Sequence, residues 1–284
     1  YSVLFLTGQG SADPAAPAVA RRLSIDDLKA FRQWGSRTAG HPEFGYAPAI
    51  ETTTGPLGQG IANAVGMAIS EAHLRARFGA DLVNHRTYVT CGDGDLMEGV
   101  AVEAASLAGH LGLGRLTLLW DDNGITIDGS TALTFSEDVL AKFAAMGWHV
   151  QRVDGHDRPA LTNAIRAAQD VSDKPSIIAC KTRIGFGSPN KEGKSAAHGA
   201  PLGVDEIKLT KAKLGLDPEQ SFVAPPEVLA FFRERDAARA AANAEWQVRV
   251  QSSAQVAELP AAIAGKLDTS LVQWPVHAVG SQLA

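Results

Sequence analysis

Residue types able to do chemistry concentrate in Cys91-Gly92-Asp93-Gly94-Asp95-Leu96-Met97-Glu98-Gly99. Residues 86–91 read as a buried strand and 100–113 as a helix. A glycine turn between a strand and a helix N-terminus points free backbone N–H groups outward and makes an anion site. Asp93 in that turn would repel a phosphate unless a cation sat between them. A second strand, 115–120, runs into Asp121-Asp122-Asn123-Gly124-Ile125, with 28 residues between Gly94 and Asn123. That length accommodates a helix and a returning parallel strand, which would set Asn123 beside Asp93 at the C-terminal sheet edge. A carboxylate, an amide oxygen and nearby carbonyls are hard ligands. With phosphate oxygens and water they complete an octahedral Mg²⁺ site. The implied ligand is a metal-bridged diphosphate. Alone, Gly-Asp-Gly is an ordinary turn; the spacing and the flanking strands point to the metal site.

The elements that must position these groups follow from pattern. Three glycines and a proline in Gly55-Pro56-Leu57-Gly58-Gln59-Gly60 impose an unusual backbone path and permit close approach to a ligand. The helix after it carries Ile61, Val65, Ile69 and Ala72 at helical spacing, with Ala62, Gly66 and Ala68 as a small face for tight packing. Upstream, residues 1–8 read as a helix end capped at Gly8. Ser24 N-caps a helix over 25–34, with Asp27 in its first turn. Pro42 holds His41 in an extended loop. Downstream, 136–146 and 158–169 read as helices, 148–153 and 175–180 as strands. Continuous apolar strands alternating with helices predict an α/β fold, a parallel sheet sandwiched by helices. Pro226 opens a long helix to about residue 252.

Other classes are bounded by composition. The chain has 284 residues, 45% of them hydrophobic, and a net charge of −5. It carries no basic footprint for nucleic acid and no apolar run of membrane-span length. The two cysteines, Cys91 and Cys180, read as buried thiols of a reducing, cytoplasmic compartment rather than a disulfide. Gly187 to Lys194-Ser195 nearly matches a P-loop, but five residues separate Gly187 from Gly193 and no helix can open at His198-Gly199-Ala200-Pro201. Nucleotide binding stays as a remote alternative. The chain begins inside an apolar segment, which suggests part of a longer polypeptide.

Together, Gly40-His41-Pro42-Glu43, Glu51-Thr52-Thr53-Thr54-Gly55-Pro56-Leu57-Gly58-Gln59-Gly60, Gly92-Asp93-Gly94, Asp121-Asp122-Asn123-Gly124-Ile125, Gly185-Phe186-Gly187-Ser188-Pro189-Asn190-Lys191 and His198-Gly199-Ala200-Pro201-Leu202-Gly203 resemble transketolase, specifically its N-terminal diphosphate-binding domain. Deoxyxylulose-phosphate synthases share the Gly-Asp-Gly signature but are not expected to share the Thr-rich glycine loop or the His-Gly-Ala-Pro-Leu-Gly stretch. The resemblance implies the thiamin diphosphate-binding fold, with a domain over 1–257 and a linker over 258–284. It implies thiamin diphosphate and Mg²⁺ as cofactors, and transfer of a two-carbon ketol unit between sugar phosphates of the pentose phosphate type. Asp93, the Asn123 side chain and the Ile125 carbonyl would hold Mg²⁺, and Gly94 and Asn123 would contact the diphosphate. Gly55, Pro56 and Leu57 would line the cofactor. His198 would touch the diphosphate and the reacting centre, and His41 the ketose hydroxyls. Glu98 and Glu103 fall where the family links two active sites across a dimer; as residues alone they could be first-turn helix acids. The family's Gly-His-Gly-Ser and its pyrimidine-binding domain lie outside the chain. A homodimer or a complex with a pyrimidine-binding subunit is therefore expected, and a partner-dependent or non-catalytic binding subunit stays open. At His277-Ala278-Val279-Gly280-Ser281, Ala278 would stand where the family carries a phosphate-binding Arg.

Overall fold

The computed structural model describes residues 1–255 and 257–265. Among them, four strands form one parallel sheet: β1 (Thr87–Gly92), β2 (Leu116–Asp122), β3 (His149–Asp154) and β4 (Ser176–Lys181), in the order β1-β2-β4-β3. Helices α1 (Ser2–Thr7), α2 (Ile25–Lys29) and α3 (Gln59–Phe78) precede the sheet. The crossovers carry α4 (Gly99–His110), α5 (Val139–Ala145) and α6 (Arg158–Asp170). Leu116, Leu118, Trp120, Ile177 and Ala179 pack on one face with α3, α4 and α5, while Leu119, Ile178 and Cys180 pack on the other with α6. The expected sandwich of helices around a parallel sheet is therefore observed. β4 is buried on both faces from Ser176 to Cys180, which is why Ile177 to Cys180 is a continuous apolar run; each Ile contributes about 1.5–3 kcal/mol.

Register positions the site. Gly92 lies opposite Asp121, Asp122 opposite Lys181, and Lys181 opposite Asp154. All four strands thus release their following loops at one edge. Close packing of the crossovers requires glycine: a Cβ on Gly109 would fall 1.8 Å from the Met146 carbonyl oxygen.

Helix α3 starts where Gly58 turns at φ 76° and ends at Gly79, whose N–H donates to the Arg75 carbonyl at 2.9 Å. Its buried stripe is Ile61, Ala64, Val65 and Ala68, with Ile69 and Ala72 partly buried beside it. Of the expected small face, Ala68 is buried and Ala62 half-buried, whereas Gly66 faces open space. Glu71 is buried but neutralised by Arg75 at 3.0 Å and Arg115 at 3.4 Å.

Several boundaries differ from the sequence reading. Helix α2 stops at Lys29 because Arg32 turns back at φ 63° and its N–H donates to the Thr38 carbonyl. Asp27 completes a full capping box with Ser24. A 3-10 turn, Gly94–Met97, precedes α4, which ends at His110. Helix α5 starts at Val139 because the Asp138 carboxylate accepts the Ala141 N–H. Helix α7 (Val204–Lys213) is unanticipated. It is followed by α8 (Pro226–Ser252) and α9 (Glu258–Ile263). The predicted linker thus opens with a packed helix, Leu259 being buried against Leu74, Phe78, Val83 and Val250. Ala278 and the surrounding motif lie outside the described residues. Among the described residues no helix is long and apolar enough to cross a membrane.

Candidate functional site

Asp93 leaves β1 directly after Gly92 and is 5% exposed. Its Oδ2 accepts the Gly124 N–H at 2.9 Å and its Oδ1 accepts the Trp120 indole N–H at 3.1 Å. Burial pushes its carboxyl pKa up; those two N–H groups pull it down, and Asp122 and Asp121 push it up further. The neighbouring buried carboxylate makes the contrast. Asp122 is held by Arg152 and Lys181, each at 3.1 Å, whereas among the described residues no cation pairs with Asp93. A buried carboxylate with neutral donors only is a place for an external cation.

The 123–125 loop closes over Asp93 as the spacing predicts. Asn123 Oδ1 accepts the Ile125 N–H at 2.9 Å, and its Nδ2 donates to Asp121 at 3.1 Å. Asp121 also accepts the Thr182 hydroxyl. The amide is thereby oriented by its own loop, with oxygen lone-pair capacity to spare. Asp93, Asn123 Oδ1 and the Ile125 carbonyl are all oxygen donors, the class that Mg²⁺ takes, and could hold that ion.

The glycine loop forms the facing wall. Leu57 is 51% exposed, and its Cδ1 lies 3.2 Å from where a Gly94 Cβ would be. Gly55, at φ 133°, has the His41 ring against it: a Cβ there would lie 2.4 Å from His41 Cγ. The Thr54 N–H donates to the Pro42 carbonyl at 3.3 Å, which ties the His41 loop to the Gly55 loop. A groove of about 1610 Å³ runs from Thr54, Gly55, Pro56 and Leu57 along β1, which is paired on one side only among the described residues.

His198 sits on the excursion that follows β4. That excursion is anchored at its start by the Thr182 N–H to the Asp122 carbonyl, and further on by Lys191 Nζ to the Leu202 carbonyl at 2.9 Å. Helix α7 braces it: Glu206 accepts from the Ser188 hydroxyl and from both Asn190 donors. Among the described residues His198 Nδ1 is buried without a partner, an orphaned polar atom suited to a bound group. No hydrogen bond joins His198 to Asp93 among the described residues. At Lys194-Ser195 only the three-residue turn Ser195–Ala197 forms, so no P-loop helix begins there.

Glu98 is the N-cap residue of α4 without a side-chain cap bond, and its Cβ crowds Gly58. Glu103 is exposed and lies beyond the first turn, which removes the helix-dipole reading for it. Near them Leu107 and Leu111 are 45% and 47% exposed. Sequence reasoning assigned nothing to Trp120, Gly124 or Asp95. A Trp ending a strand two residues before Asp122-Asn123 was the available signal for the first. His156, also unassigned, stacks on Phe186 at 4.1 Å and accepts the Arg183 N–H.

The family described as "Transketolase, thiamine diphosphate binding domain" matches residues 19–271. The transketolase of Geobacillus stearothermophilus is 48% identical over 295 residues, covering 100% of this chain and 42% of its own length. Transketolase 2 of Aliivibrio fischeri is 54% identical over 250 residues, covering 87% and 35%. Among solved structures, the Campylobacter jejuni transketolase superposes with TM-score 0.84 at 39% identity, over 91% of this chain and 40% of that one. A Pichia stipitis transketolase in complex with sedoheptulose-7-phosphate gives TM-score 0.82 at 45% identity, over 89% and 36%. The chain spans about two fifths of the length of the curated relatives it matches.

Proposed function

The chain belongs to the transketolase family, as its thiamin diphosphate-binding domain, and from that premise we propose that it forms the diphosphate-binding half of a transketolase active site. The observation that carries this reading is Asp93, a buried carboxylate that among the described residues has no cation, beside an Asp122 that has two. Asp93, Asn123 Oδ1 and the Ile125 carbonyl hold Mg²⁺. Gly94 and Asn123 take the diphosphate, and Gly55, Pro56 and Leu57 line the rings. Bound thiamin diphosphate supplies the electron sink that cleavage of a ketose between C2 and C3 requires and no side chain provides. His41 and His198 face the sugar side, where imidazoles hold and move hydroxyl protons near neutral pH. The substrates are sugar phosphates of carbohydrate metabolism, and the buried, unpaired thiols fit a cytoplasmic setting.

The apolar surface of Leu57, Leu107 and Leu111 fits a partner that brings the pyrimidine-binding half, in a homodimer or a complex. Glu98 and Glu103 then lie where two sites communicate. A second reading, a partner-dependent thiamin diphosphate-binding subunit, rests on the same exposed leucines. Calorimetry with thiamin diphosphate, with and without Mg²⁺ and with and without a pyrimidine-binding domain, tests both. Mg²⁺-dependent binding that Asp93→Ala abolishes is expected. Equally tight binding by Asp93→Ala overturns the assignment.

A further inference from the structure

We propose that Asp95 is a positioning residue that clamps the two walls of this cleft in register. Its Oδ1 accepts the Gly58 N–H at 2.8 Å, and its Oδ2 accepts the Gly92 N–H at 2.9 Å. One carboxylate therefore joins the glycine loop to the metal-loop turn across 37 residues of sequence. A carboxylate is acceptor-only, so both oxygens can serve N–H groups at once; an amide has one acceptor and would set its NH₂ against the other N–H. The contact is also charge-assisted. Gly58 is the N-cap of α3 and has no side-chain cap of its own, so Asp95 stands where the helix dipole favours an anion.

The walls leave little slack. A Cβ on Gly58 would lie 2.8 Å from Glu98 Cβ and 3.0 Å from Val100 Cγ1, and Leu57 already packs over Gly94. In the proposed function, which this inference rests on, the glycine loop carries the ring-contacting residues and the turn carries the diphosphate contacts. Only a ligand that spans both walls senses their spacing. Both Asp95 oxygens are engaged by backbone N–H groups, so it acts through Gly58 and Gly92.

The test compares two probes on the chain in Mg²⁺, thiamin diphosphate and inorganic diphosphate, with wild type and Asp95→Asn. Thiamin diphosphate affinity should fall about 10- to 100-fold, the equivalent of one charge-assisted hydrogen bond, because fewer molecules hold the walls in register. Affinity for inorganic diphosphate should stay within about twofold, since that ligand meets one wall only. Equal losses for both probes, or no loss for either, overturn the clamp. Failure of the wild type to bind thiamin diphosphate instead overturns the functional reading beneath it. Amide hydrogen exchange on the wild type needs no variant: Gly58 and Gly92 should open with one common free energy. Independent opening of those two amides also sinks the proposal.

Discussion

Replacing Trp120 by Phe removes a single N–H from the floor of the site. Trp120 is 5% exposed and donates to Asp93 at 3.1 Å. A hydrogen bond to a charged acceptor is worth about 1.5–3 kcal/mol. The smaller ring leaves a void costing on the order of 1 kcal/mol. Trp120→Phe should therefore destabilise the fold by about 2.5–4 kcal/mol, read from urea midpoints at unchanged slope. A second consequence is specific to the site. Asp93 binds a cation only as carboxylate, so binding is present above its pKa and lost as pH falls through it. Burial already raises that pKa, and the Trp120 N–H is one of two contacts holding it down. The variant should lose Mg²⁺-dependent thiamin diphosphate binding at a higher pH than wild type. Calorimetric titrations across an acid-to-neutral series locate that limb. An unmoved limb, or one displaced to lower pH, would refute the argument that Trp120 stabilises the charged form.

The remaining expectations concern packing, charge and turnover. Gly109→Ala should destabilise by about 1–3 kcal/mol or more, because its Cβ would strike the Met146 carbonyl. Gly66→Ala, in open space on α3, should instead stabilise by about 0.4–1 kcal/mol; the opposite order in thermal melts would contradict the packing described. Glu206 is held down from its ordinary 4.5 to about 2, first by the Ser188 hydroxyl and then by the Asn190 donors. A depressed acid stabilises above its unfolded pKa and loses that contribution as pH falls through the folded one. The stability gap between wild type and Glu206→Gln should therefore shrink between pH 4.5 and about 2, and a gap that widens on acidification reverses the sign. With the pyrimidine-binding half supplied, His41→Ala should impair ketose turnover far more than cofactor affinity, and equal losses would make His41 structural. Without that half, saturating cofactor and Mg²⁺ should give no ketol transfer; turnover of roughly 1–10³ s⁻¹ would show that the chain suffices.

Much of this architecture is legible in the sequence because its causes are local. Apolar runs with short polar breaks specify the parallel strands. Glycines at 55 and 58 report backbone angles that other residues avoid. The interval from Gly94 to Asn123 measures one crossover and so predicts that their loops meet. Helix α7 escaped notice because its first-turn acids and last-turn lysines accompany a weak apolar pattern and no buried residue. What only the tertiary structure decides is which acid remains available. The Gly-Asp-Gly turn singles out Asp93 in the sequence, but nothing there says how Asp95, Asp121 and Asp122 are satisfied. Strand register brings Arg152, 30 residues away, and Lys181, 59 residues away, onto Asp122. The same edge turns Asp121 toward Thr182 and Asn123, and Asp95 toward Gly58 and Gly92. Asp93 alone among the four receives neutral donors in a buried position. Charge pairing at a sheet edge is set by neighbours from other strands, and no local pattern encodes them.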